Sequence, residues 1–126
     1  MKIVIVEDDP VITLLNRRYI EKDERFCVVQ TFSAAHPALF WLRSNPVDLI
    51  ILDVMMPEMN GYEAAKAIRA MNDRPDGKNI PIIAMTANSF AEDVQASLDA
   101  GMNAHLSKPI VIEEVIKTIL RYVHND

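Results

Sequence analysis

Short aliphatic runs recur along this chain, and between them apolar residues return at every third or fourth position. The runs cover residues 2–6, 26–32, 48–52, 80–86 and 104–107. Several are apolar on consecutive positions, the pattern of strands covered on both faces of a parallel sheet. The intervening segments, 10–21, 34–43, 61–71, 91–100 and 112–124, predict helices. The first carries Val11, Ile12, Leu15, Tyr19 and Ile20 as its apolar positions, and Asp9 followed by Pro10 supplies an N-cap with proline at the first helical position. Ser33 predicts an equivalent cap for the second helix. The last helix places Val115, Ile116, Ile119, Leu120 and Val123 on one face. Strict alternation of strand and helix predicts an α/β fold with an open, doubly wound sheet, because right-handed crossovers put helices on both of its sides. The polar stretch 72–79 reads as a surface loop, not a linker between domains.

With 126 residues, half of them apolar and a quarter charged, the chain predicts one domain over residues 1–126 whose core needs neither disulfides nor a structural metal. The single cysteine, Cys27, lies in the apolar run Phe26-Cys27-Val28-Val29 and is expected to be a reduced, buried thiol. An N-terminal apolar stretch too short for a signal peptide, and the lack of any run of about 18 apolar residues, predict a soluble cytoplasmic protein with no membrane contact. Thirteen basic against eighteen acidic residues give a net charge of −5 with no basic stripe, which argues against direct nucleic-acid contact.

In open α/β sheets ligands bind beyond the carboxyl ends of the strands. Here those ends carry Glu7 and Asp8, Asp53, Thr86, and Lys108 before Pro109. Taken singly, each has a bland reading as a turn acid, a strand-forming threonine or a solvated lysine, and Asp9 is better explained as a cap than as a ligand. Four reactive strand ends on one edge outweigh those readings. Three converging carboxylates repel by about 4 kcal/mol per pair at 4 Å and an effective dielectric of 20. Lys108 offsets part of that charge, and a hard divalent cation, Mg²⁺, is the natural remainder. His36, His105 and His124 are too scattered to compete for a softer metal. A carboxylate beside Mg²⁺, an ammonium and a hydroxyl has the parts to accept a phosphoryl group as an aspartyl-phosphate.

The motifs Val4-Ile5-Val6-Glu7-Asp8-Asp9, Leu52-Asp53-Val54-Met55-Met56-Pro57 with Asn60-Gly61, Met85-Thr86-Ala87 and Ser107-Lys108-Pro109 together resemble the receiver domain of two-component response regulators over essentially the whole chain. The second half, from Ile83 to Pro109, is similar to receivers of hybrid histidine kinases, whereas the opening is similar to receivers joined to DNA-binding outputs, as in a recombined or designed chain. The resemblance implies a flavodoxin-like (βα)5 fold with a five-stranded parallel sheet in the order 2-1-3-4-5. It implies Asp53 as phosphoacceptor, and Glu7, Asp8, Asp53 and the backbone carbonyl of Met55 as the Mg²⁺ site. It further implies Thr86, Ala87 and Lys108 as phosphate contacts, Thr86 and His105 as the switch pair, and a cis peptide between Lys108 and Pro109. His105 stands where many relatives carry Tyr or Phe. The implied partner is a histidine kinase or histidine phosphotransfer protein, with a monomer or weak phosphorylation-dependent homodimer as the assembly.

Two other classes compete with this reading. A receiver-like scaffold without signalling activity would leave the same residues idle. A Mg²⁺-dependent phosphohydrolase generally places a second aspartate two positions after its nucleophile, and that position is Met55 here.

Overall fold

The computed structural model describes residues 1–72, 76–86, 91–107 and 112–123. Strands β1 (Lys2–Val6), β2 (Cys27–Phe32), β3 (Leu49–Asp53), β4 (Ile82–Thr86) and β5 (Ala104–Ser107) alternate with helices α1 (Pro10–Ile20), α2 (Ala35–Leu42), α3 (Gly61–Arg69), α4 (Ala91–Asp99) and α5 (Ile112–Val123). All pairings are parallel and the sheet order is β2-β1-β3-β4-β5, the flavodoxin-like arrangement expected. Central β3 and β4 are buried at every position, which explains why their sequences do not alternate.

Side chains on successive strand residues divide between two cores. Val4, Val6, Ile50, Leu52, Ile82 and Ala84 pack with residues of α2 and α3, while Ile3, Ile5, Leu49, Ile51, Ile83 and Met85 pack with α1 and α5. Burying both layers supplies the main driving force, about 25 cal/mol for each Å² of apolar surface removed from water.

Local chemistry sets the helix starts. Asp9 adopts an extended conformation and its carboxylate accepts the N–H groups of Val11 and Ile12, with Pro10 next in the chain. The expected cap at Ser33 is corrected: Ala34 is the last extended residue, α2 begins one residue later than predicted, and no side chain caps it. Pro37 is tolerated because it lies in the first turn, where backbone N–H groups have no partner inside the helix.

Two further expectations are overturned by packing. Cys27 is exposed, because it opens edge strand β2 and the neighbouring Val28 takes the core-facing position. On α1, Val11 is exposed while Asn16 is fully buried, its amide donating to the sulfur of Met85 at 3.3 Å.

The amino-terminal edge of β4 and β5 is closed by one side chain. Arg69, at the end of α3, donates from Nε and Nη2 to the Gly101 carbonyl at 2.9 and 2.7 Å, and from Nη1 to the carbonyls of Gly77 and Ile80 at 3.1 and 2.7 Å. A second Nη2 proton reaches Asn103 Oδ1 at 2.9 Å, so all the guanidinium donors are used. Asn103 in turn exchanges hydrogen bonds with the Ile82 backbone and accepts the Tyr122 hydroxyl at its carbonyl. Burial lowers the pKa of Arg69 from its ordinary value. Gly101 has φ +97°, and a Cβ there would lie 2.9 Å from Arg69 Cγ, so glycine meets both a backbone and a packing demand.

Candidate functional site

The opposite, carboxyl-terminal edge gathers the acids. β1 and β3 are hydrogen-bonded neighbours, so Glu7 and Asp8 after β1 come beside Asp53 at the end of β3. One carboxylate oxygen from each lies within 4.8 Å of the others. Glu7 is 2% exposed and Asp53 1%, whereas Asp8 faces solvent. Glu7 is held by its N–H bonded to the Phe32 carbonyl, and its Oε2 accepts the Asp9 N–H at 3.1 Å.

Asp53 is positioned by the backbone immediately after it. The Val54 N–H donates to the Met85 carbonyl, the Gly61 N–H donates to the Val54 carbonyl, and the Met55 N–H reaches Asp53 Oδ1 at 3.3 Å. Gly61 is required by proximity: a Cβ there would stand 2.4 Å from the Asp53 carbonyl oxygen and 2.8 Å from Val54 Cα. Asn60 Oδ1 accepts the Glu63 N–H at 2.9 Å, and Glu63 Oε1 accepts the Asn60 N–H at 3.2 Å, a reciprocal capping box at the start of α3. Between these anchors Glu58 has φ 68°, a left-handed conformation that side chains other than glycine adopt at a cost.

Thr86, 2% exposed, ends β4 one residue beyond Met85, which pairs with Asp53. Across to β5, Thr86 pairs with Ser107 and Ala84 with His105. Both ring nitrogens of His105 are buried and have no hydrogen-bond partner among the described residues. Ala87, Lys108 and Pro109, expected as phosphate contacts and cis peptide, lie outside the described residues, as does His124.

Around the acids the surface turns apolar. Met55, Val11 and Leu14 are 66, 62 and 49% exposed. A groove of about 550 Å³ runs from Glu7 and Asp8 between α1 and β2, with Leu14, Arg17 and Phe32 along it.

The donor set suits a hard divalent cation. It offers only oxygens, two of its carboxylates are almost wholly buried, and the mutual repulsion of three acids favours a positive charge between them. Among the described residues no other cluster of acidic, histidine or cysteine side chains has this form. The capping box and the strained Glu58 were not singled out from the sequence, although Asn60-x-x-Glu63 is a legible cap pattern.

The fold and the acidic edge together define a signalling receiver of the flavodoxin-like class. The chain belongs to the response regulator receiver domain family, which it matches over residues 3–120. It is 34% identical over 124 residues to the sensor histidine kinase RcsC of Escherichia coli, covering 97% of this chain and 12% of that protein. It is 31% identical over 121 residues to the sensor histidine kinase GacS of Pseudomonas protegens, covering 96% of this chain and 13% of that one. The chain therefore spans about an eighth of these relatives. Among solved structures, the receiver domain of the sensor histidine kinase PA1611 from Pseudomonas aeruginosa, with a magnesium ion coordinated in its active site cleft, superposes with a TM-score of 0.84 at 30% identity, covering 97% of this chain and 96% of that one. The chemotaxis protein CheY4 of Vibrio cholerae gives 0.86 at 29% identity, covering 96 and 97% of the two chains. Receiver domains are signalling modules and not conventional enzymes. Among the described residues no helix is long and apolar enough to cross a membrane.

Proposed function

We propose that residues 1–126 form one receiver domain that accepts a phosphoryl group on Asp53 from a phosphohistidine of a histidine kinase or phosphotransfer protein. The observation that carries this reading is the meeting of Glu7, Asp8 and Asp53 at the carboxyl edge of a receiver-family sheet. An Asp53 carboxylate oxygen attacks phosphorus in line, the phosphorus–nitrogen bond of the donor breaks, and the imidazole leaves with the electron pair and takes up a proton. Glu7, Asp8, Asp53 and the Met55 carbonyl would hold Mg²⁺, which supplies neutralisation of the phosphoryl oxygens when bound. Thr86, through its hydroxyl, together with Ala87 and Lys108 would contact the phosphoryl group in the product.

The apolar collar of Val11, Leu14 and Met55 and the groove beside Glu7 suit a protein donor. Movement of the Thr86 hydroxyl toward the phosphoryl oxygens frees space on the sheet face it shares with His105, whose ring then shifts and alters the partner-binding face. Such a domain works in the cytoplasm as a monomer or a weak, phosphorylation-dependent homodimer. Incubation with acetyl phosphate and Mg²⁺ adds one phosphoryl group by intact mass, and Asp53→Asn abolishes the addition. Full modification of Asp53→Asn overturns the assignment, and sustained turnover of small phosphate esters replaces it with a phosphohydrolase.

A further inference from the structure

We propose that Glu63 is a positioning residue for the metal site, acting through the capping box of α3 on the loop that carries the Met55 carbonyl. This rests on the reading that Met55 and the three carboxylates hold Mg²⁺.

The side chain of Met55 is 66% exposed, so packing does little to fix this residue, and the direction of its carbonyl depends on the backbone that flanks it. On the amino-terminal side that backbone is firm: Val54 is tied to Met85 and to Gly61. On the other side the chain passes through Pro57, a tight turn closed by the Met59 N–H on the Pro57 carbonyl, and the left-handed Glu58. A strained residue persists only where its surroundings hold it. The next hold is the reciprocal pair of Asn60 and Glu63. Glu63 is exposed, yet its carboxylate accepts the Asn60 N–H, one of the hydrogen bonds that join the strained loop to the helix beside those of Gly61 to Val54 and of Glu63 and Ala64 to Asn60. Removing that acceptor leaves the Asn60 N–H unpaired and loosens one of the holds between the loop and the first turn of α3, which widens the range of orientations of the Met55 carbonyl. Side chains that orient metal ligands are worth about 10–100-fold in affinity or activity when removed.

The test is Mg²⁺ binding by calorimetry, well below the melting temperature, with the amide shifts of Asp53 and Met55 as a second reporter. Glu63→Ala is expected to weaken affinity about tenfold, the lower end of the range for residues that orient metal ligands. Glu63→Gln, which keeps an oxygen able to accept the Asn60 N–H, restores it. Ile68→Ala, in the core at the far end of the same helix, lowers stability and leaves affinity unchanged. With acetyl phosphate, Glu63→Ala needs more Mg²⁺ and reaches the same maximal rate. Asp8→Asn serves as the control for the site: unchanged binding there overturns the ligand reading itself. If Asp8→Asn abolishes binding while Glu63→Ala leaves it unchanged, or if Glu63→Gln is as weak as Glu63→Ala, the positioning role is overturned and the site stands.

Discussion

The two ends of this one sheet handle charge in opposite ways. At the amino-terminal edge the Arg69 guanidinium is half-buried without an acidic partner among the described residues, yet its donors are matched by three backbone carbonyls and the Asn103 amide. At the carboxyl-terminal edge three carboxylates are brought within 4.8 Å, two of them nearly inaccessible to solvent. Next to them stands a residue in left-handed conformation, and apolar side chains project outward. One edge is saturated and serves the fold, whereas the other is left energetically costly. The cost marks the end where a cation, a phosphoryl group and a partner would be welcome.

The largest expected effect comes from breaking the saturated edge. Arg69→Met strands buried carbonyls in two loops and should cost about 3 kcal/mol, a fall in Tm of roughly 10 °C. Arg69→Lys, which cannot reach both loops at once, should recover less than half of that. Neither should change Mg²⁺ affinity measured on the folded protein. A shift in affinity that accompanies the loss of stability would show that the edges are coupled and the contrast is too sharp.

The costly edge should respond in the other direction. Millimolar Mg²⁺ should raise Tm, corresponding to about 2.7 kcal/mol at a free concentration a hundredfold above its dissociation constant. Without metal, Asp53→Asn removes one charge from the crowd and should stabilise the protein by about 1 kcal/mol, well below the unrelaxed repulsion. Thermal unfolding of both proteins with and without Mg²⁺ checks this. A metal-free Asp53→Asn protein no more stable than the parent would mean that the edge carries no such penalty.

Most of the fold was legible because its signals are local. The aliphatic runs marked all five strands, and Asp9 with Pro10 marked the start of α1. The errors arose where an element's surroundings decide the outcome. Cys27 looks apolar in its run, but only the sheet order reveals that β2 is an edge; Val11 looks like a core position on α1, but the helix docks so that Val11 is exposed and Asn16 meets Met85 of β4. The acids at the carboxyl edge were legible because topology alone delivers strand ends to one place. The Arg69 lock was not, since Gly101 and Asn103 lie 32 and 34 residues away and a backbone carbonyl has no sequence signature.

A smaller effect sharpens the comparison within the acidic edge. The left-handed conformation costs Glu58 about 1–2 kcal/mol that glycine would not incur, while glycine gives back roughly 0.4–1 kcal/mol through the greater freedom of its unfolded chain. Glu58→Gly should therefore stabilise the protein by about 0.5 kcal/mol in denaturant unfolding at constant m-value. The equivalent exchange at the other edge, Gly101→Ala, should destabilise, because it adds both the φ penalty and a collision with Arg69. Stabilisation by Gly101→Ala would remove the distinction between a glycine that is needed and a strain that is retained.

The smallest effect belongs to a charge pair at the amino-terminal edge, in the turn before β2. Hydrogen bonds from the Arg25 guanidinium and backbone hold the Asp23 carboxyl down at about 2, below its ordinary 3.8. A depressed carboxylate contributes stability that is present in full above its unfolded value and is lost as the pH falls through the folded one. The contribution of Asp23 should therefore be complete at pH 5 and fade between about pH 4 and pH 2. The pair is open to solvent, so water and salt screen it and the stability difference between the parent and Asp23→Asn should be slight. The direct check is the carboxyl resonance of Asp23 tracked by NMR on the folded protein. A midpoint near 2 that moves upward in Arg25→Ala supports pairing at this edge. A midpoint at the ordinary aspartate value would leave Arg69 as the charge on which the contrast with the acidic edge depends.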